Sequence, residues 1–119
     1  MGLHLQLGEK ITSKGSTLRV TDLDVVTLTV LRPLLIGIAL SGGTIHYSDV
    51  IKALELPYAT NGLGRVLDLL SEDCFRRGEP SLAALVVSQS TGEVGSAFGG
   101  NPSSERTNVY KHWRDVVST

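Results

Sequence analysis

The chain has 119 residues, 41% of them hydrophobic, one cysteine and a formal net charge of −1. That length holds one ordinary domain and excludes two. A lone cysteine (Cys74) excludes an internal disulfide and a cysteine-ligated metal site, and a near-zero charge counts against a dedicated polyanion binder unless its cations are gathered locally.

Residues 3–7 (Leu-His-Leu-Gln-Leu) alternate apolar and polar, as does 17–20 (Thr-Leu-Arg-Val), with a turn-like 12–16 between them. Alternation of this kind predicts half-buried strands, so residues 1–21 are expected to form an N-terminal hairpin or a loose arm. Asp22 is placed to cap a helix whose apolar stripe is Val25, Leu28, Leu31, Leu35 and Ile38. Val26, Val30 and Leu34 form a second stripe. A helix apolar on two faces needs cover on both; the hairpin or a second copy of the chain is expected over the second stripe, which makes it a candidate dimer face. Pro33 is expected to kink or restart the helix, and Gly42-Gly43 to end it. The segment 23–40 is apolar enough to raise a membrane span, but Asp24, Arg32 and Pro33 interrupt it. A buried helix, and no membrane, is the expectation.

After an extended stretch from Thr44 to Tyr47, Ser48 is read as the cap of a helix over 49–55 that Pro57 closes. Thr60 or Asn61 would cap the next helix, which runs to Arg77 with Leu63, Val66, Leu67, Leu70 and Cys74 inward and Gly78 as its stop. Residues 81–88 predict a strand, 90–93 a turn and 94–98 a return strand. A polar loop fills 99–108, and a last helix over 105–117 docks through Val109, Trp113 and Val116/Val117. Helix-turn-helix followed by a β-hairpin is the winged-helix order. The expected fold is therefore α+β: a winged helix-turn-helix over 22–98 with an added N-terminal helix and a C-terminal helix.

Ile45-His46-Tyr47-Ser48-Asp49-Val50-Ile51, Ala53-Leu54-Glu55-Leu56-Pro57, Leu63-Gly64-Arg65-Val66-Leu67 and Leu85-Val86-Val87 with Gly92 together resemble the winged-helix domain of the alkylguanine-DNA alkyltransferases and alkyltransferase-like proteins. The resemblance covers 44–98, under half of the chain, and implies a winged helix that meets DNA. That family carries a Pro-Cys-His-Arg run at its first wing strand; here Pro80-Ser81-Leu82-Ala83-Ala84-Leu85 stands there, so alkyl transfer is excluded. The family's duplex-intruding arginine falls on Asn61 by the Gly64 register. The arrangement is also similar to small bacterial and phage winged-helix proteins with a Thr-Gly-x-x-Gly wing end and a Trp in the last helix, a likeness that implies no activity.

The candidate nucleic-acid contacts follow from these placements. Asn61, Gly62, Gly64 and Arg65 occupy the start of the recognition helix, where glycines allow close backbone approach and a helix N-terminus attracts phosphate. The alternative is that the glycines only let two helices pack. Ser88, Gln89, Ser90 and Thr91 form the wing tip, which an ordinary polar turn would also explain. Lys10, Lys14 and Arg19 against Glu9 make the first 21 residues basic. Tyr47 is expected on the core rim. Asp68, Glu72 and Asp73 are read as a solvated face that Arg76 and Arg77 answer at helical spacing. His4, His46 and His112 lack ligand spacing, and no GxSxG or SxxK places a nucleophile beside a base. The expectation is a non-catalytic cytoplasmic module without metal or cofactor. It would be a homodimer that binds double-stranded DNA or, in the alternative, a protein partner as an adaptor or a phage-type inhibitor of a host protein.

Overall fold

The computed structural model describes residues 5–13, 16–56, 63–87 and 102–118. The fold is mixed α+β: β1 (Lys10–Ser13), β2 (Ser16–Arg19), α1 (Asp22–Ser41), β3 (Ile45–His46), α2 (Tyr47–Leu54), α3 (Leu63–Arg77), a 3₁₀ turn (Leu82–Leu85), β4 (Val86–Val87) and α4 (Pro102–Ser118).

The N-terminal hairpin forms, but with a different first strand. β1 pairs antiparallel with β2, Lys10 opposite Arg19 and Ile11 opposite Leu18. The strand expected at 3–7 is instead a turn over its described part. Glu9 N–H donates to the Gln6 carbonyl, and Gly8 takes φ 83°, the left-handed geometry that a type II turn requires at its third residue. Gly8 N–H then donates to the Val20 carbonyl while Val20 N–H donates to Glu9, so two residues oppose one in a glycine-type bulge. The bulge sets the alternation of the hairpin: Ile11 and Val20 point into the core, and Lys10, Thr12, Thr17 and Arg19 point out. Thr12, expected in the turn, lies in β1.

α1 is capped by Thr21 rather than Asp22. The Thr21 hydroxyl accepts from Asp24 N–H and the Asp24 carboxylate accepts from Thr21 N–H, a capping box. The helix runs through Pro33 without interruption and stops at Gly42, φ 75°. Pro33 withholds one N–H, but it and Thr29, whose carbonyl loses that donor, are both exposed, where water can serve instead. Leu28, Leu31 and Leu35 are fully buried, as expected. The second stripe divides: Val26 and Val30 are exposed and Leu34 is half-buried. The hairpin does not cover it; it lies against α3, where Arg76 grips Glu9.

α2 starts at Tyr47, one residue before the expected Ser48 cap, with His46 in the capping position. It ends with Glu55 in left-handed geometry (φ 52°), ahead of Pro57, which lies outside the described residues with Thr60, Asn61 and Gly62. Val50 is fully buried and Tyr47 packs on the core edge. α3 buries Leu63, Val66, Leu67, Leu70 and Cys74 as expected, and Gly78 ends it at φ 73°. Asp73 departs from the solvated-face reading: it is fully buried, bonded to Arg77 Nε at 2.9 Å. Glu72 pairs with Arg76 at the expected spacing.

The strand expected over 81–88 is mostly a 3₁₀ turn. The Ser81 hydroxyl accepts from Ala83 N–H and starts the turn, a competition that serine wins readily over an extended backbone. Leu82, Ala83, Ala84 and Leu85 are all buried, and the turn touches α1, α3 and α4. An apolar run that faces protein on every side fits a tight turn at the centre of the core as well as it fits a central strand. Val86 and Val87 form the strand, pairing parallel with Ile45 and His46. The rest of the expected wing, including Ser88, Gln89, Ser90, Thr91 and the return strand at 94–98, lies outside the described residues. α4 begins at Pro102, inside the segment expected as a polar loop, because proline is well suited to a first helical turn. Val109 and Trp113 dock as expected, whereas Val116 and Val117 are exposed.

Candidate nucleic-acid interface

Of the candidate contacts, the structure describes Lys10, Arg19, Gly64 and Arg65, and it brings the three cations to one place. Lys10 and Arg19 are directly opposed on the outer face of the hairpin. The Arg65 guanidinium reaches the same corner from the first turn of α3, donating from Nη2 to the Arg19 carbonyl at 2.5 Å. Like charges directly opposite across a strand pair repel by roughly 0.2–1 kcal/mol. Among the described residues neither Lys10 nor Arg19 has a carboxylate within ion-pair distance, so nothing there offsets that repulsion. An anion bridging the two would.

Arg65 has a different status from the other two. Its Nη1 lies 2.5 Å from Asp24 Oδ1, with Asp24 only 2% exposed and Arg65 37% exposed. Burial works to raise the Asp24 pKa, but the hydrogen bonds from Arg65 and Thr21 outweigh it and hold the carboxyl below its ordinary value. Arg65 therefore ties α3 and the hairpin to the start of α1, and its charge is balanced. In the sequence Asp24 stands only as an interruption of an apolar run. Its pairing across 41 positions leaves no local signal. A second tie was equally hidden. Arg76 donates Nη1 to Glu9 Oε1 at 3.0 Å and also bonds Glu72. The hydrogen bond from Arg76, then that from Gln6 N–H, lowers the Glu9 pKa, while Glu9 and Glu72 raise that of Arg76.

Gly64 lies within α3, and a Cβ added there would meet nothing within 4 Å. Close packing against another helix of this chain is thus not the reason for that glycine. Asn61, Gly62, Ser88, Gln89, Thr91 and Lys14 lie outside the described residues.

The other polar groups inside the fold hold it together. Arg32, in the middle of α1, turns inward: Nη2 donates to Glu79 at 3.0 Å, and the guanidinium lies 5.4 Å from the centre of the Trp113 ring. Burial works against its charge, yet Glu79 raises its pKa overall. The Ser81 hydroxyl lies 2.7 Å from Ser71 Oγ, and Ser81 N–H donates to Glu105. Its hydroxyl is thus held by Ser71 of α3 and by the Ala83 N–H of its own turn. Cys74 is fully buried, and burial pushes its thiol pKa up to about 11. Among the described residues no group of three histidine, cysteine or carboxylate side chains could hold a metal ion.

α1 is long and apolar enough, by length and composition alone, to cross a membrane. In this fold Leu28, Leu31, Leu35 and Ala39 form core, and the exposed side carries Leu23, Val26, Val30 and Leu40. No protein-family model, curated protein or solved structure matches this chain.

Proposed function

We propose that this chain is a non-catalytic binding module of the winged-helix kind whose partner is double-stranded DNA. α2 and α3 would serve as its helix-turn-helix. The observation that carries this reading is the convergence of Lys10 and Arg19, side by side on the outer face of the hairpin, with the start of α3. Two exposed cations directly opposed across the hairpin would offer a local positive patch to phosphates, and Lys14, Asn61, Gly62 and the wing tip (Ser88, Gln89, Thr91) extend the same reading. Arg65 enters it as the residue that holds hairpin and helix together.

The test is binding of a random-sequence duplex, titrated across salt, for the wild type and for Lys10→Gln/Arg19→Gln. Each phosphate contact contributes a slope of about −0.9 in log affinity against log salt, so two contacts alone make affinity fall about tenfold from 50 to 200 mM. The double variant is expected to bind more weakly and to lose about two units of slope. No retardation even at 50 mM salt, or binding untouched by the double variant, overturns the reading.

A second reading is favoured by the apolar outer face of α1 from Leu23 to Leu40 and the net charge of −1: an adaptor, or a small inhibitor, that binds a protein. Fold does not decide between the two. Absence of DNA binding together with capture of a defined protein through α1 would establish it.

A further inference from the structure

The outer face of α1 carries a seam along its whole length: Leu23, Val26, Val30, Pro33, Gly37 and Leu40, every one exposed. The steps alternate between three and four residues, the a/d spacing by which one helix meets another. The helix's mid-point charge, Arg32, is turned inward to Glu79, so from Leu23 to Leu40 the exposed side is uncharged. We propose that the occupant of this seam is a second copy of the chain, with the two α1 helices antiparallel about a two-fold axis through their midpoint. The proposal is independent of the DNA reading.

Three observations select a second copy. First, the seam is complementary to its own reverse. Antiparallel, Leu23 meets Leu40, Val26 meets Gly37 and Val30 meets Pro33. Every pair of positions has the same sum, so all layers fall into register together, and each sets an a position against a d position. This is the isologous contact that two-fold symmetry demands. Val26, 61% exposed against 41–47% for Leu23, Val30 and Leu40, falls opposite Gly37, where an added Cβ would meet nothing within 4 Å. Second, a groove of about 430 Å³ opens beside Leu40, between the last turn of α1 and Tyr110, Arg114 and Val117 of α4. In this register Leu23 of the second copy arrives at its mouth. Third, the charges agree. α1 has an exposed acidic residue, Asp22, in its first turn and no basic residue in its last. The reversed copy brings Asp22 to the end where Arg114 stands.

A 20-residue helix is about 30 Å long, and a seam about 10 Å wide buries on the order of 300 Å² per copy from α1, extended by Val117 beside Leu40. A standard interface buries about 800 Å² per partner, so a weak dimer that forms only as concentration rises is expected.

Sedimentation equilibrium over about 1–200 µM is expected to show the mass rise from 12.7 kDa to twice that value. Val30→Glu and Gly37→Leu both lie on the exposed side and are expected to hold the protein at 12.7 kDa at every concentration, with unchanged circular dichroism. Register is read by oxidation. Val26→Cys/Gly37→Cys is expected to give a reductant-sensitive covalent dimer, and Val26→Cys alone none. In the antiparallel pair the two copies of position 26 stand 11 residues apart along the axis, about 16 Å, against a limit of about 7 Å for a disulfide. A wild type monomeric throughout overturns the proposal, and so does cross-linking of Val26→Cys alone. Monomers that bind phosphatidylcholine vesicles, and lose that binding on Val30→Glu, would assign the seam to a membrane and overturn it as well.

Discussion

Replacing Arg65 by alanine is the obvious test of a recognition helix, and the structure predicts that it will unsettle the fold first. The substitution removes the guanidinium bonded to Asp24 Oδ1 and to the Arg19 carbonyl, each at 2.5 Å, from a carboxylate that is 2% exposed in the wild type and keeps its bonds to Thr21. Stranding a buried charge costs about 3–5 kcal/mol. The carboxylate can escape by protonating, which at pH 7 costs about 4 kcal/mol for a group of ordinary pKa. The expected loss is therefore about 3–4 kcal/mol. At about 4 °C per kcal/mol for a chain of this size, the melting temperature should fall by roughly 12–16 °C. Urea denaturation of Arg65→Ala, Asp24→Asn and the double variant gives the coupling. The double variant strands no charge, so it should be more stable than Arg65→Ala by about 1–2 kcal/mol. The sign of the pH dependence follows. In the wild type the folded Asp24 pKa lies below the unfolded one, so its contribution is present above about pH 4 and is lost as pH falls through the folded value. In Arg65→Ala the folded pKa is raised instead, so the difference between variant and wild type should shrink on acidification. An Arg65→Ala protein within about 0.5 kcal/mol of wild type would refute this account and return Arg65 to the set of free DNA contacts.

Gly64→Ala should stabilise α3 by about 1 kcal/mol in thermal or urea unfolding, because alanine is the better helix former and its Cβ meets nothing within 4 Å. If DNA approaches the helix start closely, the same variant should bind the duplex more weakly despite its greater stability. Cys74, buried with its thiol pKa pushed up to about 11, should resist a thiol reagent at pH 8 in the folded protein and react fully in denaturant. Rapid labelling under native conditions would show that α3 is less well packed than described.

Elements whose cause is local were legible in the sequence. Leu28, Leu31 and Leu35 mark the inner face of α1 by spacing alone, Gly42 and Gly78 stop their helices because a left-handed residue is needed there, and Arg76 answers Glu72 one turn away. Boundaries decided by competition between neighbours moved by a residue or more. Thr21 caps α1 in place of Asp22 because Asp24 completes a capping box with it, and α4 begins at Pro102 inside an expected loop. The run 81–88 was ambiguous in principle: residues apolar on every side satisfy a buried strand and a buried turn equally, and the Ser81 hydroxyl tips the balance.

What the tertiary structure alone decided is which charges remain for a partner. Lys10, Arg19 and Arg65 are equivalent cations in the sequence. Only the fold sets Arg65 against Asp24, 41 positions away, while leaving Lys10 and Arg19 together on an outer face. The same holds for α1, whose two apolar stripes are visible in the sequence. Packing of the 3₁₀ turn, α3 and α4 covers the first of them and leaves Val26 and Val30 of the second exposed, with Leu34 half-buried. Hydrophobic spacing depends on the period of the helix and can be read from one segment. Burial and charge pairing depend on which distant segment arrives beside it, and that is fixed only when the chain has folded.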